Sequence, residues 1–197
     1  LGISPDGRGI AAIALGRLWV WEPGGKPTAA ARLPLTASGL CWSPDGAEVV
    51  WSAGVAGEED LFATGIRSGR TRRLTGLPGA EVRASWSPDG TTVAFVHRDR
   101  FVLGAPAKPS NESLRAVKLE ETPVNDLART LRLQQYPAYG QSLTLSQGRH
   151  WGLPWSPDSA HLLSEVQGRP ALVSLDGKVV PLKGSGEFPP FKPTLLW

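Results

Sequence analysis

Trp42-Ser43-Pro44-Asp45-Gly46 is the stretch that decides the fold, because it recurs. It returns as Trp86-Ser87-Pro88-Asp89-Gly90, and with its last residue changed as Trp155-Ser156-Pro157-Asp158-Ser159. A fourth copy, Ile3-Ser4-Pro5-Asp6-Gly7, lies at the start of the chain without the tryptophan. The four serines stand 39, 44 and 69 residues apart.

Ser-Pro-Asp-Gly is a strong type I turn. Serine suits its first corner, proline presets φ at the second, aspartate tolerates the third and glycine takes the fourth. The preceding tryptophan ends a strand and offers a large ring to a neighbouring sheet. After each turn comes a short apolar run, at 10–14, 49–52, 93–96 and 162–166, expected as a strand. A second strand is expected at 18–21, 61–66, 101–103 and 171–175, followed by a Gly-containing turn and a third strand. Asp176-Gly177 reads as a two-residue hairpin loop. Short strands repeating with a period near 40 are the signature of four-stranded propeller blades. The composition agrees: 23 Gly, 18 Pro and 8 Trp suit many strands and tight turns better than helices.

These repeats resemble the Trp-Ser-Pro-Asp-Gly repeats of TolB and of the propeller domains attached to prolyl-oligopeptidase-like enzymes. The segment from Leu40 to Trp86, with Leu74-Thr75 after a basic turn, resembles them most fully. The expected fold is all-β, a propeller of about four TolB-type blades or an incomplete part of a larger one. Its repeats fall at about 1–42, 43–86, 87–155 and 156–197. The third is too long for one blade, and an insertion is expected at about 121–150. There Asn125-Asp126 could cap a short helix, while alternating leucines fit strands equally well. Leu195-Leu196-Trp197 falls where a further motif would begin, so the chain reads either as a ring of four blades or as part of a larger ring. An incomplete ring exposes sheet edges and apolar faces, which favours self-association.

The candidate chemistry is thin. Asp6, Asp45, Asp89 and Asp158 each have a sufficient role in a turn. His97-Arg98-Asp99 copies the opening of a kinase catalytic loop, but the asparagine that loop needs five residues later is Gly104; it is expected as a hairpin turn. The three histidines, His97, His150 and His161, have no metal-ligand spacing, and the single cysteine, Cys41, offers them no partner. No Gly-x-Ser-x-Gly nucleophile elbow is present. Asn111-Glu112-Ser113 fits a glycosylation acceptor, relevant in a secreted eukaryotic protein.

Two groups are candidates for binding. The insertion holds both tyrosines, Tyr136 and Tyr139, with His150 and Trp151 at its edge, on the kind of long loop that carries function. Arg67, Arg70, Arg72 and Arg73 form a dense basic turn after acidic Glu58-Glu59-Asp60. No aromatic residues interleave with these arginines, which argues against nucleic acid. The mild net charge of +3 does not require it either. No apolar run approaches the length of a membrane span, and no cofactor is expected. The absence of methionine points to a processed form or an excised segment. What the resemblance implies is a non-enzymatic scaffold for a protein or ligand, extracytoplasmic in a bacterium. The competing reading is the substrate-gating propeller of a serine peptidase whose catalytic domain lies elsewhere.

Overall fold

The computed structural model describes residues 1–98, 112–119, 153–166 and 169–182. Every regular element among them is a β-strand, arranged as four antiparallel sheets in chain order. The first sheet joins β1 (Gly2–Ile3), β2 (Ile10–Ala14), β3 (Arg17–Trp21) and β4 (Thr28–Arg32). The second joins β5 (Ser38–Trp42), β6 (Glu48–Val55), β7 (Glu58–Gly65) and β8 (Thr71–Arg73). In the third, β10 (Thr92–Arg98) lies between β9 (Ala80–Trp86) and β11 (Glu112–Lys118). The fourth joins β12 (His161–Val166), β13 (Arg169–Ser174) and β14 (Val179–Pro181), with Trp155 bridged to Leu162.

This is the expected all-β blade architecture, with three refinements. Each sheet is offset from the sequence repeat by one strand: the strand ending in Trp42 or Trp86 opens the sheet that follows the turn. The strand beside β10 is Glu112–Lys118, paired Arg98↔Glu112 through Thr92↔Lys118; the expected strand at 101–103 lies outside the described residues. His97 and Arg98 belong to β10 and not to a turn. The insertion at 121–150, whether helix or strands, and Leu195-Leu196-Trp197 are likewise outside the described residues.

The tight turns obey backbone stereochemistry. Ala14 pairs with Arg17 across Leu15 and Gly16, both at positive φ (53° and 66°). That is the backbone of a type I′ hairpin, whose twist matches that of the strands. Asp176-Gly177 belongs to a longer loop than expected. Gly177 N–H donates to Ser174 O and Ser174 N–H to Lys178 O, a type I turn closed by a left-handed glycine at φ 87°. β5 and β9 each carry a bulge at the same repeat position, with Gly39 (φ 60°) and Arg83 (φ 56°) in the left-handed region.

Side chains alternate between faces, so each sheet presents one face backward and one forward along the chain. The sixth and eighth residues after the motif serine face the preceding sheet. Val49 and Trp51 therefore meet the first sheet, Val93 and Phe95 the second, and Leu162 the third. The seventh and ninth face the following sheet: Ala11 and Ile13 meet the second, and Ala94 and Val96 the fourth. The three clusters thus fill the three gaps between successive sheets. Burying one such Val, Leu or Phe side chain contributes about 1.5–3 kcal/mol. The core is accordingly a series of sheet-to-sheet layers.

Candidate functional site

The motif is spent on its own turn, four times over. In the second sheet Gly46 N–H donates to Ser43 O at 3.0 Å. Ser43 Oγ donates to Asp45 Oδ1 at 2.6 Å and accepts Glu48 N–H at 2.9 Å, while Asp45 Oδ1 accepts Ala47 N–H at 3.0 Å. Ser4, Ser87 and Ser156 repeat the same contacts with Asp6, Asp89 and Asp158. Ser174 and Asp176 form a fifth version, legible in the sequence as Ser-Leu-Asp-Gly. The serine hydroxyl, then the backbone N–H, holds each of these five aspartates below the ordinary carboxylate range. Their contribution to stability is present above pH 3.8 and is lost as pH falls through the depressed folded values.

The turns also touch one another along a row. A Cβ on Gly46 would stand 3.9 Å from Pro5 Cδ, and one on Gly90 would stand 3.9 Å from Pro44 Cδ. In the fourth copy Ser159 holds the left-handed glycine position at φ 59°, and its Oγ accepts Asp89 N–H at 3.0 Å. Trp42 Nε1 donates to Gly2 O at 3.2 Å, and Trp155 Nε1 to Ser85 O at 3.3 Å, each reaching back to the preceding sheet. Trp86 Nε1 is buried without a hydrogen-bond partner among the described residues. The hydroxyl of Ser159 and its left-handed backbone make opposite contributions. Ser159→Ala, which loses the bond and keeps the strain, is expected to cost about 1–2 kcal/mol. Ser159→Gly, which loses the bond but relieves a strain of about 1–2 kcal/mol, should unfold closer to wild type in urea. The opposite order of midpoints would show that the backbone carries no strain there.

One place departs from the repeat. The tenth residue after the serine is Ala14 in the first sheet and Ala53 in the second, but His97 in the third. His97 lies opposite Glu81 in the β9–β10 ladder, with Nδ1 2.8 Å from Glu81 Oε1. Glu81 is fully buried and His97 is 2% exposed. Glu81 Oε2 has no hydrogen-bond partner among the described residues. Burial pushes the Glu81 carboxyl up, and the His97 hydrogen bond only partly opposes this.

Gly79, at φ 119°, lets the chain pass over this pair: a Cβ there would meet Arg98 O at 2.2 Å and His97 Cε1 at 3.1 Å. Above it opens a cleft of about 230 Å³ lined by Glu58, Asp60, Arg73, Leu77, Pro78 and Gly79. Arg73 Nη2 bonds Asp60 Oδ2 at 2.6 Å.

Of the residues singled out from the sequence, Arg72 and Arg73 lie on β8 and are engaged in ion pairs, Arg72 with both carboxylate oxygens of Glu48. Arg67 and Arg70 are exposed in the β7–β8 turn. Tyr136, Tyr139, His150 and Trp151 lie outside the described residues. Sequence reading passed over Glu81 and Gly79, and named Asp60 only as part of the acidic stretch before the basic turn. The available signal was the histidine at a repeat position that holds Ala14, Ala53 and Val166 in the other copies. Among the described residues no group of three or more His, Cys, Asp or Glu is placed to hold a metal. No helix there is long and apolar enough to cross a membrane.

Solved structures share this architecture. TolB from Acinetobacter baumannii matches with a TM-score of 0.59 and 17% identity, over 92% of this chain and 42% of that one. A putative TolB from Agrobacterium tumefaciens matches with 0.59 and 22%, over 91% and 62%. Hydrazine synthase from Kuenenia stuttgartiensis matches with 0.57 and 18%, over 88% and 51%. The chain has a TolB-like β-propeller fold, and it spans less than two thirds of the length of each of these structures. No protein-family model matches the chain, and no curated protein does.

Proposed function

We propose that the chain is a non-enzymatic propeller scaffold that holds an extended segment of a partner protein, in an extracytoplasmic setting as its resemblance to TolB suggests. The observation that carries this reading is the cleft between β7 and the β8–β9 connection. At about 230 Å³ it is smaller than the roughly 300–1,000 Å³ of small-molecule sites, and it suits a single side chain. Glu58 and Asp60 line it together with Leu77 and Pro78, and Arg73, which also lines it, is bonded to Asp60. That lining favours a Lys or Arg whose alkyl stem rests on Leu77 and Pro78 while its head meets Glu58 and Asp60. Arg67 and Arg70, with Tyr136, Tyr139, His150 and Trp151 of the insertion, are the further contacts proposed for the same partner.

A photoreactive amino acid at Leu77 tests this, with one at exposed Glu22 as the control. The expected result is a crosslink at Leu77 to one peptide containing a basic residue. The synthetic peptide should then bind the purified chain, and Asp60→Asn should weaken it. Equal, scattered crosslinking at both positions would overturn the reading.

A further inference from the structure

We propose, resting on the reading of the cleft as the seat of a basic residue, that the buried Glu81–His97 pair gives up a proton when a cationic side chain enters, so that the partner is held more tightly as the pH rises.

The pair and the cleft are neighbours. Phe95 of β10 packs toward the second sheet, and alternation puts His97 on the same face, with Glu81 opposite it. Gly79, two residues before Glu81, lines the cleft, and a Cβ on it would stand 3.1 Å from His97 Cε1. The imidazole thus lies directly under a residue that lines the cleft. A second link runs through Thr75. Its Oγ1 accepts Leu61 N–H at 2.8 Å, next to Asp60 in the chain, and its hydroxyl favours the charged form of Glu81. Asp60, a carboxylate of the cleft, opposes that form, because two like charges resist being present together. The blade itself does not call for a titratable pair: the position of His97 holds Ala14, Ala53 and Val166 in the other copies.

The sign of the effect follows from the repulsion. A Lys or Arg head against Glu58 and Asp60 offsets their field at Glu81, so it favours the form with one proton fewer. That proton is released to solvent. Because Glu81 and His97 share a hydrogen bond, it belongs to the pair and not to either residue alone. Binding that releases a proton is tighter where the proton has already left. Among the described residues, other ionisable groups on the elements around the pair are few. β7 carries Glu58, Glu59 and Asp60, and β8 carries Arg73, already bonded to Asp60. β5 presents Cys41, Arg98 follows His97 on β10, and Glu48 of β6 is engaged by Arg72 beside the motif turn.

The peptide acetyl-Gly-Arg-Gly-amide, titrated into the isotopically labelled 197-residue chain and followed by NMR, tests the proposal. The amides of Leu77 and Gly79 report occupation of the cleft. Affinity in the wild type should rise as the pH is raised above 4.5, by about fivefold more than in Glu81→Gln, which keeps Glu58 and Asp60 but has no proton to release. The carboxyl carbon of Glu81 gives a second reading that needs no variant. Its titration midpoint should move down when the peptide is saturating, by the same factor in proton affinity. If Glu81→Gln does not fold, this midpoint decides alone. Binding with the same pH dependence in both proteins, or a midpoint that the peptide leaves in place, would overturn the inference and leave the reading of the cleft standing. No change at Leu77 and Gly79 at any pH would overturn both.

Discussion

Replacing His97 by alanine is expected to destabilise the chain by about 3–5 kcal/mol at neutral pH, the cost of leaving one member of a buried pair without its partner. For a chain of this size that lowers the melting temperature by about 6–20 °C. The loss has two sources, the space vacated between the second and third sheets and the loss of the hydrogen bond to Glu81 Oε1. The second depends on pH, because Glu81 can answer by keeping its proton. Its folded pKa lies above the ordinary value of 4.5, pushed there by burial. A raised carboxyl contributes stability that is full below pH 4.5 and is lost as pH rises through the folded value. The deficit of His97→Ala should therefore shrink as the pH is lowered toward 4.5. Glu81→Gln removes the titration, so its stability relative to wild type should rise across the same interval as the pH increases. Urea midpoints at several pH values measure both trends. Flat differences would mean that Glu81 does not change its ionisation there. Replacing both residues by leucine should recover part of the loss.

The same pair shows where sequence reading reaches and where it stops. The Ser-Pro-Asp-Gly turns were legible because their chemistry is local: a hydroxyl, a carboxylate and a left-handed glycine within a few residues. The strands after them were legible because burial on one face imposes alternation, and His161–Val166 falls within a residue of its expected start. The offset of each sheet from its repeat was not legible, since nothing within a strand says which neighbour it will pair with. The same holds for the partner of β10, which is Glu112–Lys118. The Glu81–His97 contact joins residues 16 apart in sequence that meet only once β9 and β10 are in register. Arg67 and Arg70 stood out by charge density, but density does not distinguish them from Arg72 and Arg73, which are also exposed and which carboxylates already engage.

Trp51→Ala should have an effect of similar size, about 3–5 kcal/mol, by a different route. Trp51 is 2% exposed at the centre of the cluster between the first and second sheets. Its ring stacks on Phe62, with centroids 4.8 Å apart and planes at 17°. Its Nε1 donates to Thr64 Oγ1 at 2.8 Å, and Thr64 is in turn bonded to Thr71 Oγ1 at 2.8 Å. Alanine removes the ring and the donor together, while Thr64 keeps Thr71. Trp51→Phe restores most of the volume but not the donor, and should cost only about 1 kcal/mol. The position of the loss matters as much as its size. In an array of layers each sheet is held by its neighbours alone. Among the described residues, the first sheet has such a neighbour on one face only, through the cluster that Trp51 fills. Amides of β2 and β3 in Trp51→Ala should therefore exchange with solvent faster than those of β10, whose sheet is gripped on both faces. Mass-resolved hydrogen exchange separates the two regions. A uniform loss of protection across all sheets would mean that the layers unfold as one cooperative unit, and the layered account of the core would have to be abandoned.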